Sequence, residues 1–97
     1  MSILREERAL SKFIKGISDS GFEFSLDSRR LNNYELVEVM AEVDSNPLLL
    51  PKVVHLLFGE DEKRLKDHVR DEEGLIDTDK LFKEVFNIIM KANETKN

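Results

Sequence analysis

The chain has 97 residues with no cysteine and a formal net charge of −5, and 40% of its residues are hydrophobic. This balance predicts one soluble globular domain with enough apolar residues for a single core. Glycine and proline are too scarce for a disordered or fibrous chain. The absence of cysteine excludes disulfides and thiolate metal sites. No apolar run approaches the ~20 residues of a membrane span, and the first residues lack the apolar region of a signal peptide, so we expect a cytoplasmic protein.

An amphipathic helix is predicted from Ser2 to Ile17, followed by the polar stretch SDSG from Ser18 to Gly21. The polar stretch is the best candidate for a linker. Residues 1–20 are therefore interpreted as an N-terminal helical arm and residues 21–97 as the main domain. The apolar stripe of the arm consists of Ile3, Leu10, Phe13, Ile14 and Ile17.

A short strand is predicted directly after the linker, where apolar and polar residues alternate. Phe22, Phe24 and Leu26 would face the core. A strand of this length needs a pairing partner, and Leu75–Asp77 is the best local candidate.

A second helix is predicted to be capped by Asn32, with Glu35 completing a capping box, and to end near Asp44. Its periodicity predicts one apolar stripe. The residues of this stripe are Leu36, Val37, Met40 and Ala41.

The segment Asn46–Gly59, NPLLLPKVVHLLFG, is predicted as a helix that is apolar on nearly every face. Ser45 or Asn46 would cap it, and Pro51 indicates that the continuous helix begins nearer Leu50, after a separate turn. Such a helix is either the central helix of the core or a surface that binds a partner.

Two further helices complete the predicted fold. A mostly polar helix, with Leu65 and Val69 facing inward, runs from Glu60 to about Arg70. An apolar helix, capped by Asp77, runs from Thr78 to about Ala92. A turn from Asp71 to Gly74 separates them. The predicted fold class is mainly α, a small single-domain helical bundle of about five helices with a minor two-stranded β element.

Neither histidine lies in a recognisable catalytic or metal-binding pattern. His55 and His68 lack further ligands at the spacing that a metal site needs. The turn around Gly74 is similar to an EF-hand calcium loop, but its first and last ligand positions would be Val69 and Lys80, which carry no oxygen ligand. No catalytic residue, cofactor or metal site is therefore predicted.

Charge patterning disfavours nucleic acid as a partner. A phosphate backbone requires clustered basic residues, whereas Lys63, Arg64 and Lys66 lie among four acidic residues. A membrane partner is not expected either.

Apolar helix faces are the remaining candidates for function, since they exceed what a domain of this size needs for its core. They comprise the all-round apolar helix, the outer edge of the last helix and the stripe of the first helix. The predicted partner-binding residues are Leu49, Leu50, Val53, Leu57, Phe86 and Met90.

Three segments carry a likeness to a known family: GFEFSLD, NNYELVEVMAEVDSNPLLLPKVVHLLFGED and KDHVRDEEGLIDTDKLFKEVF. From Gly21 to about Ala92, the chain resembles the small tail assembly chaperones of long-tailed (siphovirus-type) bacteriophages and prophages. Residues 1–19 lie outside the likeness, and this family has no active-site motif.

The resemblance implies a helper protein in the cytoplasm of the bacterial host that is not part of the mature virion. It would bind the tape-measure protein, a long and largely helical rod, and keep it soluble until the tail tube protein polymerises around it. Self-association is a further expectation. In such systems a translational frameshift often appends a second domain to a fraction of the copies, and this chain would be the shorter product.

Three alternatives remain open. The first is a small DNA-binding regulatory domain, because short helices can form a helix-turn-helix. The second is a small hydrolase that uses His55 or His68 with a nearby acid. The third is a self-associating structural domain without a client.

Overall fold

The computed structural model describes residues 12–96, and this part of the chain begins with a β-hairpin. β1, Phe13–Ile17, pairs antiparallel with β2, Glu23–Asp27, so that Phe13 lies opposite Asp27. The predicted strand is confirmed as β2. Its predicted partner, Leu75–Asp77, is wrong because β1 occupies that place.

The predicted helix from Ser2 to Ile17 is wrong over its last five residues, which form β1. Residues 2–11 of that prediction lie outside the described residues. A strand suits this segment because its apolar residues are aromatic or β-branched, and because glycine at position 16 would destabilise a helix by about 0.5–1 kcal/mol relative to alanine. The predicted helical stripe divides between the two faces of β1: Ile14 faces the core, whereas Phe13 and Ile17 face outward.

Gly16 allows the hairpin to bring an aromatic ring against the backbone of β1. Gly16 lies opposite Phe24, and a Cβ built on Gly16 would be only 2.6 Å from Phe24 Cζ. The ring therefore occupies the space that any larger residue would need. Phe24 is 2% exposed and belongs to the core.

Four helices of at least eight residues follow within residues 12–96: α1, Tyr34–Val43; α2, Leu50–Phe58; α3, Glu62–Val69; and α4, Thr78–Lys96. A single helical turn, Ser28–Leu31, joins β2 to α1. The prediction of a mainly helical domain with a two-stranded sheet is confirmed. The described part has four such helices instead of about five, because the end of the first predicted helix is β1.

α1 begins one residue later than predicted. Asn33 is its cap, since the Asn33 side chain accepts a hydrogen bond from Glu35 N–H at 3.0 Å. The predicted cap, Asn32, is wrong because the helical turn Ser28–Leu31 ends on Asn32. This shift places Glu35 in the second position of α1 instead of the third, so a capping box is not formed.

The predicted break before Pro51 is confirmed. Asn46 accepts a hydrogen bond from Leu48 N–H at 3.3 Å and caps a 3-10 turn, Pro47–Leu49, after which α2 begins. Pro51 thus lies in the first turn of α2, where its missing N–H removes no helical hydrogen bond. Gly59 ends α2 with φ +53°, a conformation that favours glycine.

α3 and α4 follow two local predictions. Leu65 and Val69 are the buried residues of α3, as predicted from their spacing. Asp77 Oδ2 accepts a hydrogen bond from Lys80 N–H at 3.0 Å, so Asp77 caps α4 as predicted. α4 continues to Lys96, beyond the predicted end at Ala92.

α2 is the central helix of the core, which decides between the two interpretations of its apolar surface. Its buried residues are at most 6% exposed: Leu50, Val53, Val54, Leu57 and Phe58. The hairpin and the other helices surround it with Ile14, Phe24, Leu26, Leu36, Val43, Leu65, Val85, Ile88 and Ala92. None of the helices in residues 12–96 combines the length and the apolar composition needed to span a membrane.

Candidate functional site

The structure distributes the six predicted partner-binding residues between the core and the surface. Three of them belong to the core of α2 and are at most 3% exposed: Leu50, Val53 and Leu57. Leu49 and Phe86 are partly buried and pack against this core. Met90, on α4, is 61% exposed. Of this set, Met90 alone offers most of its side chain to a partner while the domain stays folded.

The polar stretch predicted as a linker is instead the turn of the hairpin, and it is fastened to α4. Glu84 is only 8% exposed, and its carboxylate accepts hydrogen bonds from Ser18 Oγ at 2.6 Å and from Ser20 Oγ at 2.7 Å. Asp19 and Asn87 add two hydrogen bonds beside them. A buried carboxylate needs such partners, because an unsatisfied charge inside a protein is strongly unfavourable.

His68 approaches this cluster at the distance of a catalytic histidine–serine pair. Its Nε2 lies 2.8 Å from Ser20 Oγ, and its ring packs on Phe22 with 5.1 Å between ring centroids. Ser20 has one hydroxyl proton; where Glu84 Oε1 accepts it, His68 Nε2 must carry a proton and donate to the serine oxygen. A general base needs the opposite polarity, with a free nitrogen facing the hydroxyl proton. The contact links the hairpin turn to α3.

His55 and Asp71 take part in local contacts. His55 Nδ1 lies 3.3 Å from Glu62 Oε1, and the His55 side chain is 75% exposed. Asp71 Oδ1 accepts hydrogen bonds from Leu75 N–H and Glu73 N–H at 2.9 and 2.8 Å, which lower the pKa of Asp71 below its usual value. Asp71 thus closes the turn that resembled a calcium loop. Within the described residues, no three His, Asp or Glu side chains are placed to hold a metal ion.

α1 exposes a second apolar stripe on the side opposite the core. Tyr34 is 72% exposed and Val37 is 55% exposed, and Ala41 is also exposed. These three residues form what we call the outer face of α1. The core side of the same helix consists of residues at most 8% exposed: Leu36, Val39 and Val43. Each set has the spacing i, i+3, i+7, which places its members on one side of a helix.

The outer face of α1 was missed in the sequence because the predicted stripe mixed the two sides. Leu36 is buried and Met40 packs partly against the core. Val37 and Ala41 were assigned to the same stripe, and this assignment is wrong because they point outward. The sequence did contain a signal for this face. The helix carries two apolar sets with the spacing i, i+3, i+7, and one set is enough for a single packing face.

A row of carboxylates borders the outer face of α1. Glu35, Glu38 and Glu42 are all exposed, and α1 contains no lysine or arginine. Across residues 12–96, no salt bridge includes any of these three residues. By contrast, α3 pairs its acids within the helix, as in the 2.8 Å contact between Lys63 and Asp67. The outer face of α1 is therefore bordered by negative charge that no salt bridge neutralises within residues 12–96.

The outer side of the hairpin carries the second exposed apolar set. Phe13 is 61% exposed and Ile17 is 58% exposed, with Lys15 between them. Ser18 N–H donates to Phe22 O, so these two residues face each other as a hydrogen-bonded pair. Hydrogen-bonded and non-hydrogen-bonded pairs alternate along an antiparallel hairpin. The backbone N–H and C=O groups of Phe13, Lys15 and Ile17 therefore point away from β2. If two copies paired symmetrically along the full length of β1, in the register centred on Lys15, this residue would face its own counterpart, which is unfavourable. This set is the weaker candidate.

An open groove of about 530 Å³ lies between the hairpin and the 3-10 turn Gly59–Asp61. Two arginines line it, and both already donate hydrogen bonds to backbone carbonyls of the domain. Arg30 Nη1 donates to a backbone carbonyl of α2 at 3.0 Å, and Arg64 Nη2 donates to Glu23 O at 2.8 Å. Arg64 also pairs with Asp61 at 3.0 Å. The groove therefore presents no single charge that would select a ligand.

Comparison of the chain with protein-family models, with curated proteins and with solved structures gives no match. Among the surfaces of the described residues, the outer face of α1 is the candidate functional site, because it joins apolar exposure with charge of one sign.

Proposed function

We propose that this chain is a tail assembly chaperone of a long-tailed bacteriophage or prophage, which binds the tape-measure protein and keeps it soluble during tail tube polymerisation. The observation that carries the proposal is the outer face of α1. This face lies on the helix YELVEVMAEV, within the part of the chain that resembles this family. Exposed Tyr34 and Val37 supply apolar surface for contact with another polypeptide.

The proposed mechanism uses contacts between proteins and no chemical reaction. A long helical client exposes apolar stripes until the tail tube encloses it, and such a stripe can pack against the outer face of α1 as one helix packs on another. Each bound chain adds a net charge of −5, so that coated clients repel one another and stay dispersed. Tail tube subunits would displace the chaperone in the host cytoplasm, leaving it outside the mature virion.

Co-expression with a tape-measure protein tests this function. We expect the soluble fraction of the client, measured after centrifugation, to increase severalfold when this chain is present, and the client to co-purify with the tagged chain. Addition of tail tube protein should then release the chain. A client that is equally soluble with and without this chain, at matched expression, would refute the proposal.

A further inference from the structure

We propose that the outer face of α1 binds a helix whose apolar stripe is flanked by lysine or arginine residues. The inference rests on the proposed chaperone function and adds the chemistry of the client segment. It follows from the position of the three glutamates relative to Tyr34, Val37 and Ala41.

The apolar part of the surface is suited to another helix. Tyr34, Val37 and Ala41 repeat the spacing by which helices pack on one another, and they extend along most of α1. Leu48, 86% exposed, lies in the 3-10 turn that packs against α1. An amphipathic helix laid along α1 would remove the apolar stripe from water.

The charged part of the surface determines which residues the bound helix should carry beside its apolar stripe. Glu35, Glu38 and Glu42 each follow a residue of the apolar stripe by one position, so their row runs parallel to the stripe, about 100° around the helix axis. A lysine or arginine beside the apolar stripe of the client would meet this row. A client with glutamate or aspartate there would meet like charge, which opposes binding.

The same charges argue against a second copy of this chain as the occupant. Two copies joined through the outer face of α1 with their helices antiparallel would bring two rows of glutamate together, and in either orientation α1 supplies no lysine or arginine to offset them. Within the described residues, the densest basic cluster is on α3, where Lys63 and Lys66 already pair with Asp67 and Glu62. A partner with its own basic residues fits the surface better.

Two designed helical peptides of 18 residues can test the proposal. Both carry the same leucine stripe; lysine flanks it in one and glutamate in the other. We expect wild-type protein to bind the lysine-flanked peptide about tenfold or more tightly than the glutamate-flanked peptide in calorimetry, with the difference shrinking as salt is added. The triple variant E35K/E38K/E42K should reverse this preference, and the control variant E72K/E73K, in the exposed turn before Leu75, should retain it.

The apolar contribution has its own matched pair of variants. V37D should weaken binding of both peptides, whereas L75D, at a similarly exposed position, should not. Circular dichroism spectra must match wild type for each variant. Equal binding of the two peptides by wild type, or an unchanged preference in E35K/E38K/E42K, would overturn the proposal.

The two proposals can fail separately. If the chain keeps the tape-measure protein soluble but shows no preference between the peptides, the client chemistry is wrong and the chaperone function stands. If the peptide preference is found and the client stays insoluble, the outer face of α1 is a binding surface and the chaperone function is wrong.

Discussion

Ser18 and Glu84 show how residues far apart in the sequence define the fold at the residue scale. Ser18 is 4% exposed; its hydroxyl donates to Glu84 Oε2 and accepts from Phe22 N–H at 3.1 Å. One side chain thus satisfies a buried carboxylate oxygen and a buried backbone donor. Ser20 donates to the other carboxylate oxygen but is itself exposed.

Replacement of Ser18 by alanine should therefore destabilise the domain by about 1–3 kcal/mol, because a buried carboxylate oxygen and a backbone N–H lose their partner. Ser20→Ala should cost less, since water can reach its acceptor more easily. Urea unfolding of the two variants measures the difference. A larger loss for Ser20→Ala than for Ser18→Ala would contradict this account of the hairpin turn.

At the scale of elements, the start of α1 depends on Asn33. The Asn33 side chain satisfies Glu35 N–H, one of the helix N–H groups that have no partner within the helix. Because α1 carries the candidate site on one side and core residues on the other, its cap affects both stability and the proposed binding.

Asn33→Ala should lower the free energy of unfolding by about 1 kcal/mol, and Asn33→Asp, which keeps a capping oxygen, should retain most of the wild-type stability. Thermal unfolding followed by circular dichroism compares them. Equal stability of Asn33→Ala and wild type would show that Asn33 does not cap α1.

The elements whose signals are local in the sequence were predictable. Pro51 marked the start of α2, and Asp77 marked the start of α4, because capping and helix breaking depend on neighbouring residues. β1 could not be predicted in this way. Phe13, Ile14 and Ile17 are compatible with a helix as well as with a strand, and only the pairing with β2 selects the strand. The contact of His68 with Ser20 joins residues 48 positions apart, and no local pattern encodes it.

The sequence predicted the type of candidate site, an exposed apolar surface, but not the helix on which it lies. Exposed apolar surface was expected, and the sequence pointed to α2 because that helix is apolar on most sides. The structure uses Val53 and Leu57 in the core, where they are fully buried. The exposed stripe lies on α1, a helix with modest apolar content divided between two sides. Total apolar content cannot separate these cases, whereas the angular distribution around each helix can.

At the scale of the whole molecule, the acidic exterior and the central position of α2 limit the functions that the fold favours. The DNA-binding alternative requires clustered basic residues at the surface. α1 presents three glutamates and no basic residue, and on α3 the residues Lys63, Arg64 and Lys66 pair with Asp67, Asp61 and Glu62. The hydrolase alternative requires a histidine with a free nitrogen toward its nucleophile, and His68 offers one to Ser20 only where Glu84 does not accept the Ser20 proton. The proposed chaperone function requires neither a basic helix nor a catalytic histidine.

Site-specific photo-crosslinking in cells that co-express the tape-measure protein tests the central claim most directly. A photoreactive amino acid placed at Val37 should form a crosslink to the client, and the same group placed at Leu75, also well exposed but distant from α1 in the sequence, should not. Crosslinks from position 37 alone would support the outer face of α1 as the client-binding surface. Absence of a crosslink at position 37, or equal crosslinking from both positions, would contradict it.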